Sequence, residues 1–130
     1  LSKIINEAKK IGLESVVECS IEDELQKAIS ANPDILMINN RPIANIPEDP
    51  NREYDKGSIN VTLSWWEKNP DLRHWKKQPE KLLISASCIN TYEDIQMLSK
   101  IPCDAVLIGN SAMQAVDRVG FLSSLRKTIN

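Results

Sequence analysis

A single histidine, four glycines and three cysteines in 130 residues exclude several kinds of chemistry before any motif is read. The lone histidine, His74, stands beside Arg73 and Lys76 with nothing that suggests a triad or a metal site, and it reads as a surface residue. Cys19, Cys88 and Cys103 are odd in number, widely spaced and mostly beside strand-like runs, so neither a disulfide framework nor a zinc site is indicated and reduced thiols are expected. No glycine-rich turn follows the first strand-like run, as a dinucleotide would need. No acidic cluster stands at the first strand ends, as a phosphorelay domain would need. There is no basic run, and 16 basic against 18 acidic residues leave a net charge of -2, which excludes nucleic acid or an anionic membrane as the main partner. No apolar stretch approaches bilayer length, and the amino terminus lacks the pattern of a signal peptide. The expectation is a cytoplasmic domain acting on a small soluble ligand.

What is present is a repeat of apolar runs ending in polar or glycine residues. Val16-Val17-Glu18, Leu36-Met37-Ile38-Asn39, Leu82-Leu83-Ile84-Ser85 and Val106-Leu107-Ile108-Gly109 read as four strands. Amphipathic helices separate the first from the second and the third from the fourth. This is βα alternation, and parallel strands need such crossovers. Leu1, Ile4, Ile5, Ala8 and Ile11 form a helical stripe ending at Gly12, so the chain starts at Leu1 already within a helix and reads as a fragment. Leu13–Cys19 is expected as a strand, Ser20 as the cap of a helix carrying Ile21, Leu25, Ala28 and Ile29, and Asn32-Pro33 as its stop. Strands over Asp34–Asn39, Lys81–Ala86 and Asp104–Gly109 follow, with a helix from Asn90 or Thr91 to Lys100 and terminal helices capped in part by Asp117.

Length allows one domain over 1–130, interrupted by a long irregular insertion at about 42–80, where Pro42, Pro47, Pro50, Pro70 and Pro79 break the pattern. Within it Ile59–Leu63 suggests an extended piece and Ser64–Asn69 a short helix. Trp65, Trp66 and Trp75 either cover the outside of the sheet or stack on a ligand as part of a lid.

Ligands of parallel sheets bind at the carboxyl ends of the strands, so the polar endings are the candidate chemistry. Gly109-Asn110-Ser111, between a strand and a helix, offers amides and a helix terminus to an anion, and Ser85-Ala86-Ser87 at the neighbouring strand end adds hydroxyls; the alternative is a simple turn. Glu18 closes an apolar strand, where partial desolvation would lift its pKa into the range of a general acid or base; the alternative is a solvated carboxylate beside the next helix. Asn39-Asn40-Arg41 reads either as a ligand-orienting amide with a guanidinium or as a turn with a surface charge.

Together these residues resemble the carboxyl-terminal half of indole-3-glycerol-phosphate synthase, strands five to eight of a (β/α)8 TIM barrel. The similar stretches are Ile11–Glu18, Met37–Arg41, Ile84–Ile89 and Leu107–Met113; the segment from roughly Ile43 to Pro79 looks longer than the family's usual connection. The resemblance implies an α/β fold, half of that barrel, with parallel strands alternating with helices. It implies ring closure of 1-(2-carboxyphenylamino)-1-deoxyribulose 5-phosphate with loss of carbon dioxide and water, without cofactor or metal. Glu18 then matches a fifth-strand glutamate used in acid-base work, Asn39 a substrate-contacting asparagine and Arg41 the arginine beside it. Ser87 matches a phosphate-binding serine and Gly109 a phosphate-binding glycine. Asn110 stands where serine is usual, and Cys88 where the phosphate loop has glycine, a change that narrows the site or alters the backbone. Ala86 occupies the place of a seventh-strand glutamate and can do no acid-base work.

The family's strands one to three, with its catalytic lysines and a further glutamate, have no counterpart in the 130 residues. The chain alone is therefore expected to bind a phosphorylated small molecule without turning it over. It is also expected to self-associate or pair with an amino-terminal half, because four parallel strands leave two open edges. The alternative is a catalytically degenerate binding or scaffold protein on the same fold, with Ala86 as the mark of lost catalysis.

Overall fold

The helical stripe at the amino end closes as its residues require. In a computed structural model that describes residues 1–41 and 57–126, α1 (Ser2–Lys10) ends at Gly12, whose φ of +78° lets the Leu13 N–H reach back to the Ala8 carbonyl. This exit turn takes residues assigned above to the first strand, so β1 runs only Val16–Cys19. There follow α2 (Glu22–Ala31) and β2 (Ile35–Asn39), with Asn32 at φ +52° ending the helix. Ser20 is not the cap of α2. It lies one residue too early, and the Glu24 carboxylate accepts from the Ser20 and Ile21 amides instead.

The stretch from 59 to 76 is helical rather than irregular: α3 (Asn60–Lys68) and α4 (Pro70–Lys76) are joined at Asn69, whose side chain accepts from the Leu72 amide while Pro70 takes the first helical position. The extended piece expected at Ile59–Leu63 is therefore corrected. Its β-branched residues suggest a strand, but Ile59, Thr62 and Trp65 fall three apart on one buried helix face, and burial overrides propensity. The part of the insertion from 42 to 56 lies outside the described residues. Beyond it come β3 (Leu82–Ala86), α5 (Tyr92–Leu98) capped by Thr91, β4 (Ala105–Leu107), α6 (Asn110–Gln114) and α7 (Arg118–Leu125) capped by Asp117.

The strands pair in parallel in the order β1-β2-β3-β4. An order without reversal puts right-handed crossovers on one face of the sheet, which is barrel winding and excludes a doubly wound sheet of the kind that binds dinucleotides or serves a phosphorelay. The covered face holds Val17, Cys19, Leu36, Ile38 and Leu83 against Leu25, Leu72, Trp65 and Trp75. Trp65 and Trp75 are core residues over the sheet, with Trp66 packed beside them. Each such fully buried side chain contributes roughly 1.5–3 kcal/mol.

Among the described residues the other face carries no layer of helices, although Asn39 and Ala86 on it are buried. In register across it run Val16, Ile35 and Leu82, then Glu18, Met37, Ile84 and Ala105, then Asn39, Ala86 and Leu107. Stacked rows of this kind fill the inside of a closed barrel; here Val16 is 54%, Leu82 40% and Leu107 55% exposed. The flanking helices show the same deficit, since Ile4, Ile11, Met113, Val119 and Leu122 are exposed. Among the described residues no helix is long and apolar enough to cross a membrane.

Candidate functional site

Parallel strands deliver all their exits to one rim. At the exits of β1 and β2, Glu18 Oε1 accepts a 2.7 Å hydrogen bond from Asn39 Nδ2, and Asn39 Oδ1 accepts from the Arg41 amide at 3.0 Å. The sheet register explains the pair. Glu18 lies opposite Met37, so Asn39, two residues on, shares its face at the next level of the pleat. Glu18 is exposed on the sheet face that carries no helices, which matches the solvated carboxylate of the two readings given above. Its orientation is nevertheless fixed by an amide that is itself buried and held by the backbone.

The exits of β3 and β4 enclose a cavity of about 880 Å³ that contains Arg41, Ser87, Cys88, Gly109 and Asn110, with Asn90 and Ser111 on its wall and Ile89, Leu107 and Phe121 as apolar lining. Ser87 and Cys88 both take left-handed backbone conformations, at φ +67° and +59°. Neither is glycine, and two consecutive strained residues at a cavity mouth are held there by their surroundings. The Ser87 amide donates to the Leu107 carbonyl at 3.1 Å, so the hydroxyl is what Ser87 has to offer a ligand. Burial pushes the Cys88 thiol up, with the Arg41 guanidinium pulling the other way. The neutral thiol removes the charge conflict that a thiolate would bring to a phosphate.

Gly109 is not a conformational necessity. Its φ is negative and nothing lies within 4 Å of where a Cβ would stand, so the position is open to an approaching group. The α6 helix that follows has five residues, too few for the strong dipole the sequence suggests, which leaves local amides and the Asn110 side chain as its contribution. The two exits are stitched together by Asn90, which bonds to the Ser111 hydroxyl through Oδ1 and donates to the Cys88 carbonyl through Nδ2 at 3.3 Å. His74 is exposed on α4, away from this cavity.

Sequence reasoning missed a buried ring of three side chains below the rim. Asn40 Nδ2 donates to Ser85 Oγ (2.9 Å), Ser85 Oγ lies 2.9 Å from Thr62 Oγ1, and Thr62 Oγ1 donates to Asn40 Oδ1 (2.9 Å). With the other two directions fixed, the Ser85 hydroxyl donates to Thr62. Asn40 Nδ2 also lies 3.0 Å from the carbonyls of Ala86 and Ser87, and the Thr62 amide donates to Asn40 Oδ1. All three residues are fully buried. The available signal was the second Asn of an Asn-Asn pair at a strand end, but its partner Thr62 lies on a helix that propensity conceals.

The family model for indole-3-glycerol phosphate synthase matches residues 1–125. The chain belongs to that family. Similar curated proteins named indole-3-glycerol phosphate synthase include one from Leuconostoc mesenteroides, 29% identical over 97% of this chain and 42% of the relative. One from Pyrococcus furiosus is 33% identical over 88% of this chain and 44% of the relative, and one from a Thermoanaerobacter species 31% identical over 98% and 42%. The chain thus spans a little over two-fifths of the length of these relatives. Its four parallel strands alternating with helices are half of the family's (β/α)8 barrel. Against the family pattern stated above, the positions matched to Asn39 and Ala86 face each other in register. Ala86 is buried, with a methyl group where the pattern has a carboxylate.

Proposed function

We propose that this chain supplies the phosphate grip and one of the acid-base carboxylates of an indole-3-glycerol-phosphate synthase, working in the cytoplasm as a single partial barrel domain. The observation that carries the reading is the cavity at the β3 and β4 exits, where a guanidinium, two hydroxyls and a short run of amides border an opening the size of a small phosphorylated substrate. Ser87, Cys88, Gly109 and Asn110 would hold the phosphate through hydroxyl, side-chain amide and backbone N–H groups, with Arg41 adding charge. Glu18, oriented by Asn39, would move protons during ring closure and dehydration. Met37, Ile84 and Leu107 offer an apolar floor beside it for the substrate's aromatic ring.

The substrate of this reading is 1-(2-carboxyphenylamino)-1-deoxyribulose 5-phosphate, which closes to an indole with loss of carbon dioxide and water, no cofactor taking part. Decarboxylative ring closure needs a proton donor at the ketone oxygen in addition to the base; that general acid would come from the amino-terminal half, and Ala86 cannot stand in for it. The isolated chain is therefore predicted to bind without turnover. Assaying it for indole-3-glycerol phosphate formation tests this; appreciable turnover by the 130 residues alone contradicts it.

Ala86 also supports a second reading, a degenerate phosphometabolite-binding protein on the same fold. The two separate when an amino-terminal half bearing the family's lysines is supplied. Turnover then supports the synthase, and binding without turnover supports the degenerate form. The open face and free edges fit a partner layer, either such a half or a second copy of the chain.

A further inference from the structure

Asn40 is fully buried, does not line the cavity, and yet is bonded to the carbonyls on either side of Ser87, the first residue of the strained turn that does. Left-handed φ values at two consecutive non-glycine residues revert to ordinary ones unless something fixes the peptide groups around them. The Ala86 and Ser87 carbonyls flank the first of those residues, and Asn40 Nδ2 meets both at 3.0 Å while the Asn40 amide donates to the same Ala86 carbonyl at 2.9 Å. The other end of the side chain is held too. Thr62 donates twice to Asn40 Oδ1, which fixes the amide plane and sets which atom donates. On the far side, Gly57 at φ +57° packs against the Asn40 carbonyl and the Cys88 sulfur so closely that a Cβ would lie 2.4 Å from the one and 2.7 Å from the other.

We infer that Asn40 is a positioning residue that holds the Ser87-Cys88 turn in its left-handed shape and thereby sets the affinity for a phosphate group it never touches. The affinity half of this rests on the phosphate reading above; the conformational half does not. Where a glycine would adopt the turn unaided, Cys88 needs the clamp. Asn40 and Cys88 are therefore energetically coupled, and a glycine at 88 lessens the dependence of binding on the asparagine, Ser87 still needing the clamp.

The test is a titration with inorganic phosphate followed by amide chemical shifts, with the HN–Hα couplings of Ser87 and Cys88 as a separate report on φ. Asn40→Ala is expected to weaken phosphate binding about tenfold or more and to move both couplings out of the left-handed range. Adding Cys88→Gly to it should restore part of the affinity without restoring the melting temperature, since Ser87 stays unclamped. Thr62→Val breaks the same buried ring but spares the bonds to the two carbonyls, so it should lower stability and leave affinity nearly unchanged. Should Asn40→Ala fail to fold, Asn40→Ser keeps a polar group in the core but cannot reach the carbonyls, and the same losses are expected. Unchanged affinity and couplings in the Asn40 variants overturn the inference, as does an equal loss of affinity in Thr62→Val. If the unaltered chain shows no response to phosphate, the phosphate reading fails, and the couplings alone decide whether Asn40 holds the turn.

Discussion

Two carboxylates at the other end of the sheet show how single residues carry its stability. Asp34, just before β2, accepts from the amide and hydroxyl of Ser15 at 2.8 and 2.7 Å and lies 3.4 Å from Lys9. Asp104, just before β4, accepts from the Leu83 amide and pairs with Lys76 at 3.0 Å. Each ties the start of one strand to the start of its neighbour. The Ser15 bonds, with Lys9 behind them, hold the Asp34 carboxyl below its ordinary 3.8. With the folded-state value lower than the unfolded one, this stabilisation is complete above about pH 4 and disappears as pH falls through the folded-state value. Asp34→Asn should therefore lower stability by about 1 kcal/mol at pH 7, with the difference from the unaltered chain vanishing in acid. Urea melts from pH 7 down into acid check it, and a difference that did not shrink as pH fell below about 4 would contradict it. Glu18 at the rim is different in kind: Glu18→Gln keeps an acceptor for Asn39, so phosphate binding should survive. In a chain completed with an amino-terminal half, kcat should fall by roughly 10²–10⁴.

At the scale of elements, the helix termini were partly legible and the middle of the chain was not. Gly12, Asn32, Thr91 and Asp117 end or cap helices through requirements that a sequence displays directly, namely positive φ or an oxygen one residue before the first turn. The four strands were legible because apolar runs bounded by turns survive burial on either face. By contrast only the second half of α3 was legible, as the short helix over Ser64–Asn69, and its first turn was hidden, since Ile59, Val61 and Thr62 favour strands locally and packing against β2, α5 and the buried ring makes them helical. The cavity followed the same division. Ser87, Gly109 and Asn110 were marked by their places after strands and Cys88 only by the family resemblance, whereas Asn40, Thr62 and Asn90 act across sequence gaps that no local pattern records. Asn69 supplies a direct check on α4: Asn69→Ala removes the acceptor for the Leu72 amide and should lower the unfolding free energy by about 1 kcal/mol, measured by denaturant midpoint. No change would show that Pro70 alone sets the start of the helix.

At the scale of the whole molecule, the described residues form a layer covered on one side. Its helix face is packed around Trp75, Leu72 and Leu25, while the face with Val16, Met37 and Leu107 has no cover among the described residues. Apolar area of this kind in water favours association, so the chain is expected to form dimers or larger species as concentration rises. Sedimentation velocity reads this, and a monomer stable at hundreds of micromolar would count against it. The same openness leaves Glu18 exposed, which under the proposed function is a physical reason to expect phosphate binding without catalysis from half a barrel. The central claim is that the exits of β3 and β4 form that grip. It is tested most directly by titrating inorganic phosphate into the isotopically labelled chain and following every backbone amide. The account predicts saturable shifts confined to Ser87, Cys88, Gly109 and Asn110 and their neighbours, with Asp34, Lys81 and Asp104 at the opposite end of the sheet unmoved. Saturable shifts centred on that opposite end, or no saturable response at any site, would contradict it.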